Sequence, residues 1–293
     1  MRISGMLLAA ALGVTSSLMS LGAHAEDKVL KIGQLGVMSG PSASWGLVSR
    51  YSAEALAGMI NDEGGLSIGD DKYKIEIVSV DDKLDIRAAI AGIERLAYQD
   101  KVKYVIGPNV DDPSVAILPV LEASGVFNIC YGFTKELFME PNKNTALGMI
   151  ATYQTAPVVY KWLADNKGVK TVSFVSWNGV GGKANLDSGL DAAKKVGLEV
   201  LSSDAVYELG TTDFFPVMGG VVKANPDLIV LSGVSPAEAP LLIRAARELG
   251  YQGLMSTETA QDAKVLEEVA GSLANGFISL GGASSPELQS EYM

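Results

Sequence analysis

LKIGQLGVMSGPSASWGLVSRYSAEALAGMINDEGG (residues 30–65) opens with an apolar run, passes through a turn-rich stretch and ends in a helical pattern. Leu30 to Val37 reads as a buried strand, and Met38 to Gly46 as a loop. In the helix that follows, Ala53, Leu56, Ala57 and Ile60 recur at i, i+3, i+4 and i+7, one apolar face on a 3.6-residue period. Gly64-Gly65 supplies the stop signal. The loop sets Ser39, Ser42, Ser44 and Trp45 beside a helix N-terminus, where unpaired N–H groups and the positive end of the helix dipole can hold a polar or anionic ligand.

The same unit recurs downstream. Lys74 to Val80 is a strand closed by Asp81-Asp82, and the next helix carries Ile86, Ala89, Ile90, Ile93 and Ala97 on one face. Tyr104 to Ile106 is a third strand, ending in a loop at 107–113. Ser114 to Ala123 is a helix that Pro119 is expected to kink. Val126 to Tyr131 is a fourth strand, followed by Gly132-Phe133-Thr134. A second set begins near Ile150. Helix Ala156 to Asn166 leads to strand Thr171 to Trp177, helix Lys183 to Val196 and strand Leu198 to Val206. A helix near Pro216 to Ala224, strand Leu228 to Leu231 and helix Pro236 to Leu249 come next, and a short strand at Gly253 to Met255 precedes Ser256-Thr257-Glu258. Strands alternating with helices of this length indicate right-handed βαβ units on parallel sheets. The expectation is an α/β protein of two doubly wound parallel-sheet lobes, with ligand-binding loops at the carboxyl ends of the strands.

Residues 1–25 carry a single charge, Arg2, a long apolar and small-residue run, and Ala23-His24-Ala25 as a cleavage site, the pattern of a secretory signal peptide. No cysteine follows the run, so a lipid anchor is not expected. The only histidine, His24, leaves with this segment, and the net charge moves from −11 to −12 as Arg2 goes with it. An acidic chain without clustered Lys and Arg does not suit nucleic acid or anionic membranes. Without histidine, neither a Ser-His-Asp triad nor a histidine-bearing metal site can be built. No cofactor is expected. Cys130, the only cysteine, lies in an apolar run and reads as a buried, inert thiol. The chain divides into residues 1–25 (signal peptide), 26–149 (first lobe), 150–278 (second lobe) and 279–293 (the start of a return to the first lobe). Gly276 to Leu280 reads as a strand, and a helix opening at Pro286-Glu287 has room for only about two turns, so the C-terminal part is expected to be cut short.

The ordered set IGQLGVMSGPSASWG, AGMINDEGG, IVSVDD, YVIGP, VLEASGVFNI and ARELGY resembles the periplasmic branched-chain amino-acid binding proteins. These are the type I substrate-binding components of ABC importers. The resemblance covers essentially the whole chain after the signal peptide. It implies two lobes joined by hinge crossovers, a monomer that closes on a small ligand, and delivery of that ligand to a membrane permease, with no catalysis. Carried over by position, the ligand-binding residues are Trp45, Asp111 and Thr134 in the first lobe. In the second lobe they are Gly181, Val234 and Glu258, with Trp177 nearby. Trp45, Thr134 and Glu258 match the family pattern in kind, Glu258 falling on the acidic residue that takes the ligand's ammonium. Asp111 stands where the family has serine in the loop that grips the ligand's carboxylate. Gly181 and Val234 stand where it has aromatics. The ligand expected is an amino acid or a related amine or carboxylate metabolite.

Each site reading has a plain structural alternative. Trp45 is either a lid over the ligand or a core aromatic. Thr134 is either a donor or a helix cap, and Asp111-Asp112-Pro113 is either a contact or ordinary turn chemistry. Glu258 is either an ammonium partner or a solvated or capping carboxylate, and Trp177 either lines the cleft or packs on the lobe surface. Gly179-Val180-Gly181-Gly182-Lys183 fits neither G-x-G-x-x-G nor the P-loop pattern, so its glycines read as a tight βα turn. A ligand-sensing receptor subunit of the same fold is the other function weighed. An exported hydrolase lacks a nucleophile–base pair.

Overall fold

The computed structural model describes residues 28–40, 42–261 and 263–280. The expected signal peptide and the helix expected from Pro286 lie outside these residues. The first lobe runs β1 (Lys28–Gly36), α1 (Ala43–Asp62), β2 (Leu66–Ile68), β3 (Asp71–Asp81), α2 (Ile86–Glu94), β4 (Tyr104–Ile106), α3 (Asp111–Ala116), α4 (Leu118–Ser124), β5 (Phe127–Cys130) and β6 (Thr145–Leu147). Its sheet has the order β2-β3-β1-β4-β5-β6, parallel except for β2, which pairs antiparallel with β3. The second lobe runs α5 (Thr152–Lys167), β7 (Thr171–Trp177), α6 (Val180–Val196), β8 (Glu199–Tyr207), α7 (Phe215–Lys223), β9 (Leu228–Ser232), α8 (Ala239–Glu248), β10 (Leu254–Ala260), α9 (Ala263–Ala270) and β11 (Phe277–Leu280). Its sheet, β11-β10-β9-β7-β8, is parallel throughout.

Apart from the edge hairpin strand β2, the two sheets share one winding. In each, the second strand in sequence lies outside the first, and the third, fourth and fifth extend from its other side. The strand order therefore reverses between β1 and β4 in one lobe and between β7 and β9 in the other. Chain leaving the carboxyl ends of such strand pairs diverges to opposite faces of the sheet and leaves a crevice.

Burial explains the elements. On one face of the first sheet, Leu35 and Val105 pack with Ala89, Ile93, Leu96, Ile117 and Leu121. In the second lobe, one face of the sheet packs Val172, Phe174 and Val230 against Tyr160 and Leu163 of α5 and Ala192 of α6. The other face packs Val175, Ile229 and Met255 against Met218, Leu242 and Ala246. That last cluster is not confined to one lobe. Val37 and Val110, from the ends of β1 and β4, are buried within it, and Trp45 and Leu84 pack on its margin.

Several elements differ from the sequence reading. Leu56 is 60% exposed although it sits on the periodic face of α1; the helix lies against β1 and β3, and only Gly46 and Ala57 of it are buried. Pro119 does not kink a continuous helix. The helix ends at Ala116 and α4 begins anew at Leu118 with the proline in its first turn, where a missing N–H costs nothing. β10 runs through Glu258 to Ala260, so Glu258 belongs to a strand rather than to the loop after one. Residues 279 and 280 complete β11 in the second lobe's sheet, beyond the boundary drawn at 278.

Candidate functional site

The two reversal points face each other. From the first lobe come Gly107 to Asp112 after β4 and Gly132 to Thr134 after β5. From the second come Trp177 to Gly182 at the end of β7 and Ser232 to Val234 at the end of β9. Asp111 and Asp112 open α3, where acidic side chains suit the positive end of the helix. They do different work. The Asp112 carboxylate accepts a hydrogen bond from the Val180 N–H at 3.1 Å, capping the first turn of α6 in the opposite lobe. No side chain of its own lobe caps α6; Gly179 occupies the N-cap. The lobes are thus joined by a charge-assisted bond from an acid of one to a helix N-terminus of the other.

Asp111 is 1% exposed. Its Oδ1 accepts from the backbone N–H groups of Phe133 at 2.7 Å and Thr134 at 2.5 Å, consecutive donors in the loop after β5. Its Oδ2 faces Gly181 so closely that a Cβ at that residue would lie 2.6 Å away. Burial raises the Asp111 carboxyl to about 6; the bonds from Thr134 and Phe133 oppose that shift, and the neighbouring Asp112 charge adds to it.

Trp177 ends β7 with its indole N–H donating to the Gly233 carbonyl at 3.1 Å. Its ring lies over the glycine turn: Cβ atoms at Gly179 and Gly181 would approach it to 2.2 and 2.8 Å, and one at Gly182 would meet the Trp177 carbonyl oxygen at 1.9 Å. These glycines let the helix start beneath a tryptophan and against a carboxylate of the other lobe. The residue is 4% exposed and sits in the cluster shared by both lobes, not on the lobe surface. Val234 is buried in the same cluster, and its carbonyl accepts from the Gln261 side-chain amide at 3.1 Å. Trp45 lies in the first turn of α1 rather than in a loop, half-buried against this cluster. Thr134 precedes a 3-10 turn; its N–H goes to Asp111 and its hydroxyl to Glu136 at 2.8 Å.

Glu258 stands apart from this group. It is 2% exposed, on the face of β10 that packs toward α5 and α6. Its Oε1 accepts from the Tyr160 hydroxyl and from Ser232 at 3.5 Å, while Oε2 is buried without a partner. Burial raises it to about 7 against the pull of the Tyr160 hydroxyl, the Glu258 backbone N–H, the Ser232 hydroxyl and the Gly233 backbone N–H. It is neither solvated nor a helix cap. Along α6, Gly181 meets Asp111, Asn185 receives the Thr152 hydroxyl and donates to the Gly181 carbonyl, and Gly189 lies against Glu258. Eight residues of helix, about 12 Å, therefore separate the ends of this polar line. Tyr160, Asn185, Thr152 and Ser232 had no signal in the sequence reading. Each is an ordinary helix, cap or strand residue whose partner is distant in the chain.

A model of the periplasmic binding protein family matches residues 29–292. A Leu/Ile/Val-binding protein of Citrobacter freundii is 27% identical over 262 residues, covering 89% of this chain and 69% of the relative. An amino acid binding protein of Pseudomonas aeruginosa is 25% identical, covering 87% and 66%. The chain thus spans about two thirds of the length of these relatives. Among solved structures, a branched-chain amino acid transporter substrate binding protein of Streptococcus pneumoniae, in complex with isoleucine, superposes with a TM-score of 0.76 at 22% identity, over 88% of this chain and 72% of that one. A solute binding protein of R. palustris in complex with 4-hydroxybenzoate gives 0.68 at 19% identity, over 79% and 62%. Both share the fold.

Proposed function

The chain belongs to the periplasmic binding protein family, and from that membership we propose that it captures a small molecule between its lobes and hands it to the permease of an ABC importer. The observation that carries this reading is the meeting of two strand-order reversal points, with Asp111 and Asp112 of one lobe set against Gly181 and Val180 of the other. A crevice at each reversal point, closed by the opposite lobe, is a place to desolvate a ligand, and the change from open to closed is a signal a transporter can read. In this reading the protein is exported to the periplasm, works as a monomer and performs no chemistry on its ligand. Trp45 and Trp177 supply aromatic surface and Glu258 supplies a negative charge, which suits an amino acid or a related amine-bearing metabolite.

The test is a thermal-shift screen of the purified protein with aliphatic, aromatic and acidic amino acids, amines and aromatic acids. A ligand present at a hundred times its Kd stabilises the folded state by about 2.7 kcal/mol, a clear rise in melting temperature. A flat response across the panel would reject small-ligand capture. Trp45 gives a second check. Because it packs half-buried where the lobes meet, Trp45→Ala is expected to weaken ligand binding by about 1–2 kcal/mol while leaving the ligand-free melting temperature nearly unchanged. A large loss of ligand-free stability would make Trp45 a core residue instead.

A further inference from the structure

We propose that Asp112 is a closing latch: from the first lobe its carboxylate caps a helix of the second, and this holds the lobes together before any ligand arrives. The inference rests on the binding-protein reading and adds to it a closed state that the empty chain reaches by itself.

α6 lacks a cap of its own. Its carboxyl end carries Lys194 and Lys195, which suit the negative end of the helix dipole. Its first turn holds no acid, and its N-cap is Gly179, which has no side chain to cap with. A side chain there has no room, since a Cβ on Gly179 would lie 2.2 Å from the Trp177 ring. The first donor of the helix, the Val180 N–H, instead meets both carboxylate oxygens of Asp112, at 3.1 and 3.3 Å. Among the described residues this is the hydrogen bond that joins the lobes, and none of the ion pairs crosses between them. Beside it, Val37 and Val110 of the first lobe share one apolar cluster with Trp177 and Val234 of the second. Apolar contact is non-directional, so it draws the lobes together without fixing their angle. The Asp112 bond has a direction, and it forms only when α3 stands opposite the start of α6. Opening the hinge leaves α6 uncapped, and closing restores the cap. The fraction of empty chains that are closed then scales the affinity for every ligand that needs the closed form, whatever its chemistry.

The latch is tested in the ligand-free protein. Spin labels are attached at Arg87→Cys, at the start of α2, and at Thr212→Cys, after β8, two exposed positions on opposite lobes. Cys130 is buried and stays unlabelled. Pulsed EPR gives the distance between the labels in the otherwise wild-type chain, in Asp112→Ala, in Val180→Pro and in the double variant. Proline removes the N–H from the other side of the bond, at the first helical position, where it is well tolerated. Each single variant is expected to raise the ratio of open to closed chains about fivefold, the effect of one lost helix cap. The double variant is expected to open no further than either single one, because both remove the same bond. Asp112→Asn keeps an oxygen for Val180 and is expected to stay near the wild type. Additive opening by the two substitutions, or opening in Asp112→Ala with none in Val180→Pro, would confine the effect of Asp112 to its own lobe and overturn the latch. Identical distances in all the proteins would overturn it as well. Either failure, beside a thermal shift with any compound of the ligand screen, leaves the binding-protein reading standing.

Discussion

Glu258→Gln is expected to make the ligand-free protein more stable above pH 7 and, at the same time, to weaken an amine-bearing ligand. The two effects share a cause. Burial holds the Glu258 carboxyl at about 7 against an ordinary value of 4.5, so in neutral or alkaline solution the folded chain carries an ionised group that water would solvate better. A shift of that size corresponds to about 3 kcal/mol. Glutamine keeps an oxygen for the Tyr160 hydroxyl and removes the charge, so most of this strain is relieved. A bound ammonium relieves it differently, by pairing with the charge, and glutamine cannot do that; the loss in affinity is expected at about 2–3 kcal/mol. Chemical denaturation at pH 8 and calorimetry with the best amine measure the two halves. Affinity equal to wild type would remove Glu258 from the ligand site, and reduced stability at pH 8 would show that the carboxylate is already satisfied.

The pH dependence follows with a definite sign. A carboxyl whose folded pKa is raised stabilises the fold while both states are protonated, and that contribution is lost as pH rises through the folded value. Glu258 at about 7, and Asp111 and Asp82 each at about 6, all shifted chiefly by burial, lose it together between about pH 4 and 7. Asp81 acts in the opposite direction, its carboxyl held low by bonds from Met38 and Lys83 despite burial. The ligand-free wild type should therefore lose stability between about pH 4 and 7, and Glu258→Gln should flatten part of that slope. The same protonation predicts that an amine binding near pH 6.5 releases protons, measurable by calorimetry in buffers of different ionisation heat.

The architecture was legible because it depends on repeated patterns. Apolar strands alternating with helices of one length force parallel sheets, and the loops then fall at one end of each. Elements with little pattern of their own were not. β6 is three residues whose place is given only by pairing with β5. The β2–β3 hairpin did have a signal, Gly69-Asp70, a glycine-led two-residue turn between Leu66-Ser67-Ile68 and the strand that begins at Asp71. α9 also carries a signal in the sequence, an amphipathic period with its buried Leu266 and Ala270 four residues apart. The site was less legible than the fold for a physical reason. What matters in it are pairs such as Asp111 with Thr134, Asp112 with Val180 and Tyr160 with Glu258, which lie 23, 68 and 98 residues apart. Residue type could nominate one member of each pair, and only the folded chain supplies the other. It also shows that the odd residue at 111 is not an exposed repulsive charge but a buried group with two donors.

Gly107→Ala is expected to be the most destabilising single-methyl change in the cleft. The residue follows β4 at the first lobe's reversal point, with φ at +91°. Its N–H donates to the Ile129 carbonyl at 2.8 Å, and its own carbonyl accepts from the Asn128 side chain, so its position is fixed from both sides. A Cβ there would lie 1.9 Å from the Leu35 carbonyl oxygen, an atom of the central strand that cannot swing away as a side chain could. Two costs add: the left-handed backbone, about 1–2 kcal/mol, and overlap in a packed region, about 1–3 kcal/mol. Gly125→Ala separates them. Gly125 is also left-handed, at φ +67°, ending α4 with no atom within 4 Å of the Cβ it lacks. It should show the backbone cost alone. Urea titrations of the two variants are expected to place Gly107→Ala below Gly125→Ala by at least about 1 kcal/mol, the difference being the steric term. Equal losses would mean that the β1–β4 junction yields to the methyl. In that event the crevice at the reversal point would be soft enough to reshape around a ligand, and Asp111, four residues further on, would not hold its donors rigidly.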